Sequence, residues 1–278
     1  MKLVYTLIFL FVLAQVIGIF TGTIILKDIY GNPYVQFFFL TDDSSSISSS
    51  LFLFLYILVS SFVLLLLIRF FSKYVLFFKL LEFVIISTSS SIVIYSFFRL
   101  FLSYEHSMMG GILIGLFIAA LKFLNFKIKN IVAILSTAGV GVIFGISFEI
   151  IPIIVFLVLL SIYDYLSVFR TKHMVELANF VMKEDLAFTI TASRKRTKPG
   201  ERNRIDLGTG DLIAPIAFEI SSLSFNPTST LFIFVGAVVS LFVFVYIVSK
   251  RKIVLPALPP IVLGMLLFFG IGLILGFY

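Results

Sequence analysis

Apolar runs long enough to cross a bilayer, about 17–25 residues each, follow one another along almost the whole chain, separated by short polar breaks. Nine are readable, at 3–26, 51–69, 80–102, 110–126, 131–148, 152–168, 207–225, 230–249 and 256–277. The stretch 131–169 exceeds one span and divides where Glu149 and Pro152 bring a charge and a helix breaker together. The first run is read as a retained span, because it is long and lacks a small-residue cleavage site. The pattern predicts an all-α polytopic membrane protein with nine transmembrane helices.

The breaks are uneven. Residues 27–50 form an outside loop ending in a Ser-rich tract and read as mobile, the alternative being that the aromatic run Phe37–Phe39 lies on the membrane surface. Residues 169–206 are the largest connection. Within it Met174, Leu177, Val181 and Met182 fall at helical spacing and predict a short interfacial helix over 171–183. Leu186 to Ala192 alternates partly with Thr and predicts a strand. Ser193 to Arg204 is basic and polar with a Pro-Gly, and reads as flexible. The chain thus divides into 1–168, carrying six spans, the connection 169–206, and 207–278, carrying three.

Composition sharpens this picture. The chain is 60% hydrophobic and 13% charged, where a soluble domain carries about 25% charged residues. An ordinary soluble enzyme and a disordered chain are both excluded. The net charge of +7 acquires its meaning from location. If the N-terminus and every second connection share one side, that side holds 19 of the 21 Lys and Arg, and the other holds Lys27 and Arg99. Cytoplasmic loops retain Lys and Arg, so the N-terminus is expected in the cytoplasm and Tyr278 outside, with the cell membrane as the site. The basic surplus is therefore an orientation signal and does not call for a nucleic-acid partner. There is no Cys, which removes disulfides, thiol nucleophiles and cysteine-held metal. His106 and His173 lie far apart, so neither a metal site nor a cofactor is expected.

Five acids sit in or beside apolar spans: Glu82, Glu149, Asp164, Asp211 and Glu219. An acid in hydrocarbon is costly and marks a candidate functional site. Glu82 and Glu149 are near span ends and are expected to reach the interface. Glu219 lies deeper, where a protonated acid hydrogen-bonded inside the bundle would fit. Asp164 precedes Arg170 by six residues and Asp211 follows Arg204 by seven, which in helical rise is about 9 and 10 Å from the basic boundary. Their spans are consecutive and antiparallel, so the two carboxyls can face each other at one depth. Two such groups cannot both ionise cheaply, and a pair holding one proton can activate water and protonate a leaving group. A sealed helix contact or a proton or cation relay would use the same pair.

The flanking residues add to this. Gly208-Thr209-Gly210 precedes Asp211, and two glycines allow close approach and non-helical dihedrals. Tyr163 precedes Asp164. Pro256-Ala257-Leu258-Pro259-Pro260 opens the last span just after Lys250–Lys252, and its prolines remove backbone donors near the depth of both acids.

Tyr163-Asp164, Gly208-Thr209-Gly210-Asp211 and Pro256-Ala257-Leu258, in this order on spans six, seven and nine, resemble the motif set of presenilin-type intramembrane aspartyl proteases, archaeal presenilin homologues in particular. The resemblance implies hydrolysis of peptide bonds within transmembrane segments of substrate proteins, with Asp164 and Asp211 as catalytic dyad. It implies that Pro256, Ala257 and Leu258, with the residues around the acids, shape the active site and substrate groove. It also implies activity without obligatory partner subunits, compatible with a homo-oligomer. Thr209 departs from the pattern, which usually has Leu between the glycines. Signal peptide peptidase shares the aspartate motifs with opposite orientation, which the 19:2 charge split disfavours. Prepilin-type peptidases lack the proline motif. A channel or proton-coupled transporter using Asp164, Asp211 and Glu219 is the rival outside the proteases.

Overall fold

The computed structural model describes residues 2–31, 40, 43–71, 75–171, 180, 186–193, 204–250 and 255–278. Among them are nine long helices: α1 Lys2–Gly31, α2 Ile47–Phe71, α3 Val75–Arg99, α4 Tyr104–Leu124, α5 Lys129–Ser147, α6 Ile150–Leu166, α7 Gly210–Phe225, α8 Pro227–Lys250 and α9 Leu258–Ile274. Each predicted span has its helix, and α5 and α6 part at Glu149 as the charge and proline required. Seven of the nine are long and apolar enough to cross a bilayer, α6 with the turn that continues it to Arg170. The exceptions, α7 with 16 residues and α9 with 17, extend only about 24–26 Å against a hydrocarbon core of about 30 Å. Both short helices follow non-helical backbone, α7 a strand and α9 Pro256-Ala257.

Between α6 and α7 lie two antiparallel strands, β1 Thr189–Ser193 and β2 Arg204–Gly208, with Thr191 opposite Asp206 and Thr189 opposite Gly208. The predicted strand is present but displaced, starting at Thr189 instead of Leu186. The span expected from 207 starts as a helix only at Gly210, and the helical rise used between Arg204 and Asp211 does not apply, because residues 204–208 are extended. Alternation explains the sheet's seating. Ile190, Ala192 and Leu207 are buried against the bundle, while Thr191 and Asp206 share the polar face and join through the Thr191 hydroxyl at 2.5 Å. Of the expected flexible segment, Ser193 and Arg204 belong to the strands. The rest of it, like Phe37–Phe39 and most of the predicted interfacial helix, lies outside the described residues.

Helix α1 runs through the middle, packing on α3, α5, α7, α8 and both strands, and α7 is enclosed by α1, α5, α6, α8 and α9. Glycines permit this. Gly18 of α1 and Gly141 of α5 both abut Ile216 of α7, and Gly22 and Gly145 both abut Ile220 one turn on. A methyl group at Gly18 or Gly141 would stand 2.6 Å from Ile216 Cγ2. Two Gly-x-x-x-Gly faces thus grip the same two isoleucines from opposite helices, the close approach that small residues allow where lipid offers no hydrophobic drive.

Candidate active site

Asp164 sits in the last turn of α6 and Asp211 is the second residue of α7. The antiparallel arrangement brings the two half-buried carboxyls near enough to act on each other electrostatically. Local backbone fixes both ends. Ser167, whose hydroxyl and N–H both reach Asp164 O, turns the chain after α6 into a single π turn over Ser167–Thr171. Thr209 N–H donates to Phe188 O at 3.1 Å, and Thr209 O accepts from Leu212 and Ile213, so the step from β2 into α7 is bonded on both sides. Pro215 has no N–H for the carbonyl of Asp211, four residues earlier.

Each carboxyl also meets a backbone amide, Asp211 that of Gly208 and Asp164 that of Leu258. The second contact explains the proline motif. A helix leaves its first N–H groups without internal partners. In the first turn of α9, Pro259 and Pro260 have none to offer, so Leu258 N–H is the donor available at that end. Pro256, Ala257 and Leu258 are all buried, which holds that donor against Asp164. Asp164 Oδ2 is buried without a protein partner.

The glycines act by size. Neither has a positive φ, the one such glycine among the described residues being Gly276, so the expected dihedral freedom is not used. A Cβ on Gly208 would meet Asp211 Oδ2 at 3.3 Å, whereas Gly210 is exposed with open space where its Cβ would be. One glycine makes room for the carboxyl and the other leaves an opening beside it. Tyr163 turns its hydroxyl to Ser61 of α2 at 2.9 Å and its ring edge-on to Phe54, joining α6 to α2.

The remaining acids have other places. Glu149 is exposed at the start of α6, near Ser44, as expected of an interface residue. Glu82 corrects its expectation. It is 1% exposed, ion-paired with the equally buried Lys122, and its Oε1 accepts the Ala187 N–H at 2.6 Å. Glu219 is fully buried and accepts from Gln15 Nε2 of α1 at 2.8 Å, with Gln15 Oε1 and Glu219 Oε2 left without protein partners. Eight residues separate it from Asp211, about 12 Å along α7 and turned about 80° away. Sequence reasoning passed over Asn130, whose side chain binds the backbone of Thr191 twice. Its position at the boundary of a span, among lysines, carried no signal. Among the described residues no three His, Asp or Glu side chains converge as metal ligands would.

The profile of the family described as signal-peptide peptidase, presenilin aspartyl protease matches residues 8–276. No curated protein sequence matches the chain. Two solved structures, each titled as a presenilin family intramembrane aspartate protease, are similar to it over nearly their full lengths. The one in space group C222 is 27% identical with a TM-score of 0.70, covering 98% of this chain and 99% of its own. The one in space group P2 is 27% identical with a TM-score of 0.63, covering 94% and 96%. With a profile match over almost every residue and nine helices arranged as in these proteases, the chain belongs to the signal-peptide peptidase and presenilin family of aspartyl proteases, and is an integral membrane endopeptidase acting on transmembrane substrates.

Proposed function

We propose that Asp164 and Asp211 are the catalytic dyad. The observation that carries this is their meeting from α6 and α7, each against a backbone N–H, with an opening at Gly210. One aspartate, as carboxylate, takes a proton from water while the water oxygen attacks the scissile carbonyl carbon. The other, as the neutral acid, gives its proton to the carbonyl oxygen. On collapse of the tetrahedral diol the first aspartate gives its proton to the departing amine nitrogen as the C–N bond breaks, and one diol hydroxyl returns a proton to the second, leaving a carboxyl and an amine terminus. The pair titrates as a unit, so neither role belongs to one residue.

A helical substrate must unwind, because its carbonyls are bonded along the helix. The β1–β2 sheet supports recognition of the unwound segment by strand addition, with β2 running directly into Gly208 and Asp211. Tyr163, Gly208, Thr209, Gly210, Pro256, Ala257 and Leu258 shape the site by the contacts described above. On this reading residues 1–168 supply the scaffold and the first aspartate, 169–206 the cytoplasmic connection, and 207–278 the second aspartate and the proline motif. Seating in the cell membrane with the N-terminus cytoplasmic is supported by the 19:2 division of basic residues. The enzyme acts without partner subunits, alone or as a homo-oligomer.

The test is the purified protein in liposomes with a panel of single-span substrates, the products read by mass spectrometry. Asp211→Asn and Asp164→Asn each abolish cleavage while leaving helix content and thermal unfolding unchanged. Undiminished cleavage by either variant sinks the dyad.

A further inference from the structure

A two-stranded sheet has two outer edges, and the register assigns the backbone groups to each. The Thr209 N–H donates to Phe188 O. By the antiparallel alternation, Ile190–Leu207 and Ala192–Ile205 are then the pairs bonded to each other. Thr189, Thr191 and Ser193 consequently turn their N–H and C=O to the outer edge of β1, and Arg204, Asp206 and Gly208 theirs to the outer edge of β2. At the centre of the β1 edge stands Asn130. Thr191 N–H donates to Asn130 Oδ1 at 3.0 Å, and Asn130 Nδ2 donates to Thr191 O at 2.8 Å. That is the paired exchange a neighbouring strand would make, supplied by one side-chain amide.

Asn130 is the second residue of α5, the helix whose Gly141 and Gly145 hold α7. The same flank of the sheet is tied again at Ala187, whose N–H goes to Glu82. At the far edge Gly208 N–H faces Asp211. The sheet is thus bonded to the scaffold through β1 and meets the acid through β2.

We infer that Asn130 is a positioning residue for proteolysis: its amide closes the β1 edge and locks the sheet to α5, so that a substrate strand is received along β2 in one register relative to Asp211. This rests on the strand-addition reading above. The chemistry is specific to a primary amide, because Thr191 asks for an acceptor and a donor at once.

The full-length protein and its Asn130→Ala and Asn130→Asp variants are compared in liposomes on one single-span substrate. Asn130→Ala is expected to lower kcat about tenfold, the equivalent of two modest hydrogen bonds, with KM little changed and cleavage spread over adjacent peptide bonds. In Asn130→Asp the carboxylate accepts from Thr191 N–H but repels Thr191 O, whereas the neutral acid restores both bonds. The rate of Asn130→Asp relative to wild type therefore rises as the pH falls through the ordinary carboxyl range, from about 5 to about 3, while the Asn130→Ala ratio stays flat. Asp206 opposite Thr191, Lys129 beside Asn130 and the Glu82–Lys122 pair are common to all three proteins and cancel in these ratios.

Hydrogen exchange at the Thr191 amide, followed without substrate, reads the anchor alone and accelerates in Asn130→Ala. Wild-type protein that cleaves nothing sinks the protease reading and leaves the exchange result standing. Unchanged exchange, a pH-independent Asn130→Asp ratio, or wild-type rate and cleavage position in Asn130→Ala overturns the role of Asn130.

Discussion

Helices α2 and α7 are both apolar, neighbours of α6 in one bundle, yet they meet different surroundings. Of the central part of α2, 6% of residues are buried in the protein, and Phe52, Leu55, Tyr56, Phe62 and Phe70 all face outward. In α7 every residue from Ala214 to Ser222 is buried, including Pro215, Glu219, Ser221 and Ser222. The more uniformly apolar helix is the peripheral one. In water the reverse would hold, since burial there follows hydrophobicity. In a bilayer lipid tails are as apolar as Leu, so greasy side chains gain little from one another, and helix contacts go to small and polar residues. What marks a helix as central is therefore its polar and small residues, and those of α7 include the acid proposed for catalysis.

That comparison predicts a descending order of effects. The largest follows from the glycine grip. Gly145→Val drives a branched side chain into Ile220 and Ala217 O, costing about 1–3 kcal/mol of overpacking. Displacing Asp211 by about 1 Å reduces turnover about 100-fold. Thermal unfolding and turnover measured together test this, and wild-type turnover would show that α7 is not held as described.

Next comes the Gln15–Glu219 pair. Glu219→Leu strands the Gln15 amide in the core and costs about 1–3 kcal/mol, whereas Glu219→Gln keeps a donor and an acceptor and loses little. The double variant Gln15→Leu/Glu219→Leu recovers most of the loss, as removal of both partners allows. A Glu219→Gln variant as damaged as Glu219→Leu would mean that the carboxyl itself is used, and would revive a relay through this helix.

The smallest effects belong to α2. Ser61→Ala removes the bond to Tyr163 and costs about 0.5–1.5 kcal/mol, and Phe62→Leu on the lipid side stays within about 0.5 kcal/mol. Denaturant titration in detergent ranks all of these. An α2 substitution rivalling Gly145→Val would break the contrast between the two helices.

Span number and type were legible because the bilayer imposes one length and one solvent on every crossing helix, and the break at Glu149–Pro152 followed from local chemistry. The sheet was half legible. Thr alternation marks β1, whereas in Arg-Ile-Asp-Leu-Gly only the last residue disfavours a helix locally, and the segment is extended. Its antiparallel pairing with Thr189–Ser193 decides the matter. Glu82 was misread for a similar reason: its depth suggested an interface, and only the fold supplies Lys122 and the Ala187 amide.

From the sequence alone came the membrane residence, the nine spans, the scarcity of charge that made Asp164 and Asp211 visible, and the motif order pointing to an aspartyl protease. These properties are local or additive along the chain, and a one-dimensional pattern can carry them. Tertiary structure alone decided that Leu258 is the donor facing Asp164, that Ile216 and Ile220 are gripped by glycines of two other helices, and that Asn130 takes the place of a third strand. Each joins residues about 60 to 200 positions apart. Periodicity records which face of a helix is apolar, but the packing that selects its neighbour depends on shape and on hydrogen bonds that exist only once the helices are assembled.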